Sequence, residues 1–283
     1  MTPAPRRRIA TRSIPLDRAL EALPLFRLSD SADDAPIAYT LDSGARWRVI
    51  PLPGERLPGT FDQDVYVEIF RRFHDAGTPD DGVISFTLHD FLRSMGRRVD
   101  GRTYAQLRGA LGRLQRTNLE SVGAHVGAGP GGAHETRFSV LSATNIDRRR
   151  SSDREQLGLF SVLAANEPGD ARVTISAPIR ANIAAGHTTE ITPAHYLALS
   201  SPVARRLYRL LAVARADGQA VWTLPLMSLA DQLPLTQRYP SHLQRVVQPA
   251  NEMLIAAGLV RTAELRQDDS GWTASYVLAV NPG

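Results

Sequence analysis

One succession of elements occurs twice in this chain, and that repetition constrains the fold more than any other feature. Residues 61–76, Phe61 to Ala76, place Val65, Ile69 and Phe73 at four-residue spacing, which predicts a helix. A turn over 77–82 leads into the β-rich run Val83-Ile84-Ser85-Phe86. Thr87, with Asp90 three residues on, reads as the N-cap of a short helix from Leu88 to Met95 that ends at Gly96. Thr103 to Leu114 follows, with Leu107, Leu111 and Leu114 on one stripe, and then two strands, Leu119 to Val126 and Glu135 to Leu141. The second half runs the same way. Ser201 to Ala216 is a helix with Pro202 in its first turn, where a missing N–H is harmless. Ala220-Val221-Trp222 is the short strand, Leu224 to Leu233 the short helix, and Ser241 to Ala257 the longer one. Leu259 to Leu265 and Trp272 to Val280 close the unit as strands around the turn 268–271.

The halves align in detail. Phe86-Thr87-Leu88 matches Trp222-Thr223-Leu224, and Leu107 and Leu243 each lie twenty residues beyond the matched Thr. Helix, short strand, helix, helix and hairpin is the order of a winged helix-turn-helix. The expected fold is therefore α+β, with two tandem winged helix-turn-helix domains; a single mixed α+β domain is the competing account. The expected division is an N-terminal arm and linker over 1–36, a first winged helix over 37–150, a connecting hairpin over 151–186 and a second winged helix over 187–283. Ile37 to Leu41 and Arg46 to Pro51, around Asp42-Ser43-Gly44, read as a further hairpin.

Composition removes several classes of activity. There is no Cys, so no disulfide, thiolate metal site or cysteine nucleophile. All 33 basic residues are Arg. Without Lys there is no ordinary P-loop, pyridoxal-phosphate or protein-kinase chemistry. No apolar run approaches the length of a membrane span, and the basic start, residues 1–8, is not followed by the apolar stretch of a signal peptide. A cytoplasmic protein is expected, with no cofactor and no membrane partner.

The formal net charge is +4, but unevenly spread. Residues 51–100 hold 6 Arg against 9 acids, and 151–200 hold 3 against 5; residues 101–150 hold 8 against 3, and 201–250 hold 6 against 2. Two basic stretches about a hundred residues apart suit two polyanion-contacting surfaces, or two solvated helix faces.

Leu57-Pro58-Gly59-Thr60-Phe61-Asp62-Gln63-Asp64-Val65, followed by helix, strand, short helix and Arg-rich helix, resembles the replication initiator protein A family of plasmid and secondary-replicon initiators. The segment Leu199 to Leu211 is similar to the start of the second winged helix in iteron-binding initiators. The resemblance spans about residues 37–280. It implies tandem winged helices that bind direct DNA repeats at an origin and start replication through host factors such as the replicative helicase or the chromosomal initiator. It also implies homodimers that repress the initiator's own gene. A winged-helix transcriptional regulator without initiator activity is the alternative. The Arg-only basic content, the glycine-rich loop and Pro249 in the second recognition helix depart from the family pattern.

In a helix-turn-helix the second helix enters the major groove. The first such helix offers Arg102, Thr103, Tyr104, Gln106, Arg108, Arg113 and Arg116. Arg can read guanine and Gln adenine bidentately, with Arg108 the favoured reader; Arg113 and Arg116, late in the helix, suit phosphates. The second offers Arg238, Tyr239, Ser241, His242, Gln244, Arg245 and Gln248, with Gln244 and Arg245 favoured. Gly127 to Gly132 matches the letters GxGxxG, but a strand follows it, not the helix that a dinucleotide site needs. It is expected to be a wing tip, or an inert hairpin, with His125, His134 and Arg137 near the duplex. The run Arg148-Arg149-Arg150, Arg149 in particular, is a further candidate for phosphates. No HxH or HExxH motif occurs; the missing HxH argues against a rolling-circle nickase, and no clustered ligands support a nuclease or other metal-dependent DNA enzyme. Asp62 and Asp64 stand at a helix start, where carboxylates suit the dipole; no metal or catalytic residue is expected.

Overall fold

The computed structural model describes residues 12–29, 35–127, 134–146, 170–235, 238–269 and 271–279. In the first half, α2 (Thr60–Asp75) leads through a turn to β4 (Val83–Thr87), α3 (Leu88–Ser94) and α4 (Gly101–Arg116). Thr87 Oγ1 accepts the Asp90 backbone N–H at 3.1 Å, so the expected cap starts α3. The unit is completed by β7 (Leu141–Ile146) and β8 (Asp170–Ile175), in an antiparallel sheet of order β4-β8-β7. The second half builds the same object from α7 (Pro202–Ala216), β10 (Val221–Pro225), α8 (Leu226–Gln232), α9 (Pro240–Ala256), β11 (Val260–Asp268) and β12 (Gly271–Leu278), with sheet order β10-β12-β11. In both, the first strand pairs with the last, and the last with the middle one. The repeat read in the sequence is thus a repeat of topology, two tandem winged helix-turn-helix units, but not of the register expected: Thr87 caps α3, whereas Thr223 lies within β10 and α8 starts two residues after Leu224.

Three expectations change. The described part of the expected connecting hairpin, residues 170–186, belongs to the first unit: β8 lies between β4 and β7, with Phe86 opposite Ala171, and α5 (Ala177–Ala184) packs behind it. Gly82, at φ +71, shows how closely α5 fits. A Cβ there would stand 2.9 Å from the Ile175 carbonyl and run into the Arg180 side chain. A boundary at 150 would therefore cut the first wing in two. Second, β5 (Asn118–Val122) and β6 (Glu135–Phe138) are not a wing. They join β2 (Ile37–Thr40) and β3 (Arg46–Ile50) in a separate sheet, order β2-β3-β5-β6, inserted between the reading helix and the true wing. Most of the glycine-rich loop, 128–133, falls outside the described residues. Third, the N-terminal arm is in part core. β1 (Ile14–Asp17) pairs with β9 (Thr188–Ile191), and α1 (Arg18–Glu21) follows it, burying Leu16, Leu20, Leu23 and Phe26. α6 (Pro193–Ala198) links β9 to the second unit.

A buried polar seam locks the two units together. Glu21 and Arg209 are each about 1% exposed, and Arg209 Nη1 donates to both Glu21 oxygens at 3.0 and 3.2 Å. Tyr66 Oη donates to the same carboxylate at 2.8 Å, and Arg209 Nη2 donates to Gln63 Oε1 at 2.9 Å. Arg206 donates to the Glu21 and Leu23 carbonyls, both at 2.8 Å. Burial, with Arg209 adding to it, brings the Arg206 guanidinium down to about 9, still charged at neutral pH. Asp64 accepts from Tyr196 Oη at 2.9 Å, Arg205 Nη1 at 2.6 Å and Arg97 Nη2 at 2.7 Å. Buried ion pairs add little net stability over apolar packing, yet they demand one geometry. Here that geometry is the orientation of α2 against α7.

Candidate nucleic-acid interface

The reading helix of the first unit, α4, starts at a reciprocal cap. The Thr103 N–H donates to Asp100 Oδ1 at 2.9 Å, and the Asp100 N–H donates to Thr103 Oγ1 at 3.1 Å. Thr103 is therefore a capping residue. Tyr104 sits half-buried, its hydroxyl 3.2 Å from His89 Nδ1, and ties α4 to α3. Arg102, Gln106 and Arg108 are exposed and have no hydrogen-bond or ion-pair partner among the described residues. Leu107, Leu111 and Leu114 face the core on the opposite stripe.

Arg113 and Arg116 do something else. Arg113 makes a bidentate pair with Asp62, Nε and Nη2 each at 2.8 Å, and the pairing raises its already high pKa. Its guanidinium folds back along the helix past Gly109, where a Cβ would meet it at 3.3 Å. Arg116 pairs with Glu55 at 2.8 Å. The pair expected to meet phosphates instead braces α4, Arg113 onto α2 and Arg116 onto the chain before it.

In the second unit, Arg238 pairs with Asp231. Tyr239, at the N-cap position of α9, is 70% exposed, and Ser241 is exposed. His242 Nδ1 lies 3.1 Å from Arg245 Nη2, and Gln248 donates to Glu252 at 3.3 Å. Gln244 is half-buried on the same helix. Arg245 is exposed with no acidic partner among the described residues. Pro249 sits inside α9, which nonetheless runs unbroken from 240 to 256.

The other candidates separate. Arg137 belongs to β6 and is flanked by Glu120 at 3.4 Å and Glu135 at 3.0 Å, so it is neither on a wing nor unpaired. His125 is buried, its Nε2 2.7 Å from Asp17 Oδ2, because the chain after β5 turns inward onto the N-terminal strand. His134 is exposed beside β6, in the same inserted sheet. Arg149 and its neighbours lie outside the described residues, in the interval between the two strands of the first wing. Asp62 and Asp64 serve Arg113, Arg97, Arg205, Tyr196 and the Gly59 N–H. Among the described residues no cluster of His, Asp and Glu could hold a metal ion, and no helix is long and apolar enough to cross a membrane.

Sequence reasoning missed the exposed Arg172 on β8 and Arg261 on β11, the strands that form the true wings. Strand alternation would have pointed to Arg261. Arg172 falls in the span that the sequence reads as a connecting hairpin.

With these elements placed, the chain matches the replication initiator protein A family over residues 16–239. The chain belongs to that family. Its LPGTFDQDV segment is the hub of the structure, Asp62 bracing α4 while Gln63 and Asp64 hold the second unit. Among solved structures, domains 2 and 3 of RctB are similar in two crystal structures. One has a TM-score of 0.61 and 11% identity, covering 94% of this chain and all of that one. The other has a TM-score of 0.55 and 11% identity, covering 92% and 96%. The Pi initiator protein in complex with iteron DNA matches more loosely, at a TM-score of 0.45 and 12% identity over 78% of this chain and 95% of that one. The search of curated proteins found no match.

Proposed function

We propose that this replication initiator is a non-enzymatic, sequence-specific binder of double-stranded DNA. It would lay α4 and α9 into successive major grooves on one face of the duplex, at direct repeats of a plasmid or secondary-replicon origin, and start replication there by recruiting host factors. The observation that carries this reading is the repeated reading helix. Each unit presents an exposed Arg on its second helix, Arg108 and Arg245, with no acid against it among the described residues. Every other Arg described on α4 or just ahead of α9, apart from Arg102, is held by an acid. Family membership supports the initiator role. Because the two helices expose different residues, one chain would read an asymmetric site, which suits direct repeats; a two-fold dimer needs inverted ones.

The test is to select duplex fragments with the purified chain and measure binding on the winning site. Protection of about two helical turns is expected, with log affinity falling by about 0.9 per neutralised phosphate against log salt. Five base pairs inserted between the two specified patches should abolish the gain in affinity that comes from engaging both at once. A flat salt response would sink the DNA reading, and a winning site with a single inverted repeat over a promoter would favour a regulator.

A further inference from the structure

Between the two units lies a cleft of about 920 Å³ that neither reading helix accounts for. Arg93, Arg97 and Arg205 line it, and Asp64 is the one acidic residue in its wall. Asp64 is engaged on both oxygens, by Arg205 at 2.6 Å and Arg97 at 2.7 Å. Arg93 is exposed, and its guanidinium has no hydrogen bond or ion pair among the described residues. Three guanidinium groups against one carboxylate leave two positive charges uncompensated in a concave site, which focuses the field on an anion. The 16-residue α2 and the 15-residue α7 both begin at this cleft, at Thr60 and Pro202, and their positive ends add to it.

The position of the cleft decides what fills it. One wall carries Gln106, on the exposed face of α4. The other carries Ser200, whose hydroxyl contacts Met253 Sδ of α9 at 3.6 Å. The cleft therefore separates the two reading helices. Successive major grooves on one face of a duplex are separated by a minor groove edged by two phosphate strands. We propose that this cleft is a phosphate-binding site that seats the duplex backbone between the two grips, with Arg93 as its free donor. The inference rests on the DNA-binding reading above. A free nucleotide carries the same phosphate chemistry, so the test separates the two sources.

Binding of the full chain is measured for wild type, Arg93→Ala and Arg93→Lys, on the selected duplex and on an unrelated one, across a salt series. Arg93→Ala should weaken both duplexes by the same factor, roughly tenfold at low salt, the size of one charged hydrogen bond. Its salt slope should be shallower by about 0.9, and Arg93→Lys should recover most of the loss. In parallel, inorganic pyrophosphate is titrated into a thermal unfolding assay of the same proteins; all three should melt alike without it. If wild type binds DNA and Arg93→Ala binds with the same affinity and slope, the phosphate seat is wrong and the DNA reading stands. If pyrophosphate stabilises wild type but not Arg93→Ala while the DNA slopes agree, the cleft serves a free anion and the backbone assignment is overturned. If wild type binds no duplex, both readings fall together.

Discussion

The two winged helices share a strand order but hold their reading helices by different means. α4 is fastened by polar contacts: the Asp100–Thr103 cap, the Tyr104–His89 contact onto α3, and the Arg113–Asp62 and Arg116–Glu55 pairs. α9 begins at Tyr239-Pro240 with no side-chain cap, contains Pro249, and buries Asn251 beside the Tyr276 hydroxyl. What holds it is mainly the apolar stripe Leu243, Val247, Ala250 and Leu254, with Arg215 of α7 bonded to the Leu259 carbonyl at its end. The difference follows from architecture. The first unit carries an inserted sheet and borders the interunit seam through α2, so charged residues near α4 find partners at short range. The second unit is minimal, and its helix has little but the core to lean on. A helix oriented by ion pairs keeps one angle, whereas a helix oriented by apolar packing slides more readily.

The largest effect should come from the seam that both units share. Glu21→Ala strips the carboxylate from Arg209 and Tyr66 and leaves Arg209 buried with only Gln63 as a polar partner. Breaking a buried pair on one side costs about 3–5 kcal/mol. Urea denaturation of the full chain should show a loss of that size, with the transition losing its single step as the halves uncouple. A loss under about 1 kcal/mol would mean that the units are held by apolar contact alone.

Next comes the division of labour among arginines. Arg113→Ala removes a brace and leaves the buried Asp62 with only the Gly59 N–H, so it should cost about 1–3 kcal/mol of folding stability and leave the salt slope of DNA binding unchanged. Arg108→Ala and Arg245→Ala should do the reverse. Each should leave the urea midpoint nearly unchanged and lose about 1–3 kcal/mol on the selected site, with preference blurred at one base position. Equal losses on selected and unrelated DNA for Arg108→Ala would demote it to a phosphate contact. An Arg113→Ala protein with full stability and a shallower salt slope would reverse the two roles.

How much of this could be read beforehand depends on the range of the interaction. Local signals hold: Thr87 as a cap, Pro202 in the first turn of α7, the leucine stripe of α4 and the hairpin around Asp42-Ser43-Gly44 all rest on neighbours within a few residues. The tandem fold was legible because the same local order occurs twice. Long-range pairing was not. Nothing near Arg172 says that β8 inserts between β4 and β7, and nothing near Ile14 says that it will pair with Ile191. Arginine was the most misleading residue type. Arg205, Arg206 and Arg209 were counted in a basic stretch, yet they point into the seam, and the acids that hold them, Glu21 and Asp64, lie more than a hundred residues away. Charge per segment measures what faces a ligand only when the pairing across the fold is known.

The smallest expected effect sharpens the contrast at the helix starts. The Thr103 backbone N–H donates to Asp100 and, with the Thr103 hydroxyl and nearby Arg98, holds the Asp100 carboxyl below its ordinary value. A carboxylate whose folded value is depressed stabilises the fold above its unfolded value, and that contribution disappears as pH falls through the folded value. Asp100→Ala should therefore be less stable than wild type at neutral pH, and the two urea midpoints should converge in acid below the folded value. The α9 start offers no such carboxylate, so Tyr239→Ala should show no convergence with pH over the same range. Parallel curves for wild type and Asp100→Ala down to the lowest pH would show that the cap does not depend on the carboxylate charge. The reading helices would then differ only in their ion pairs along the barrel of the helix, not in how they begin.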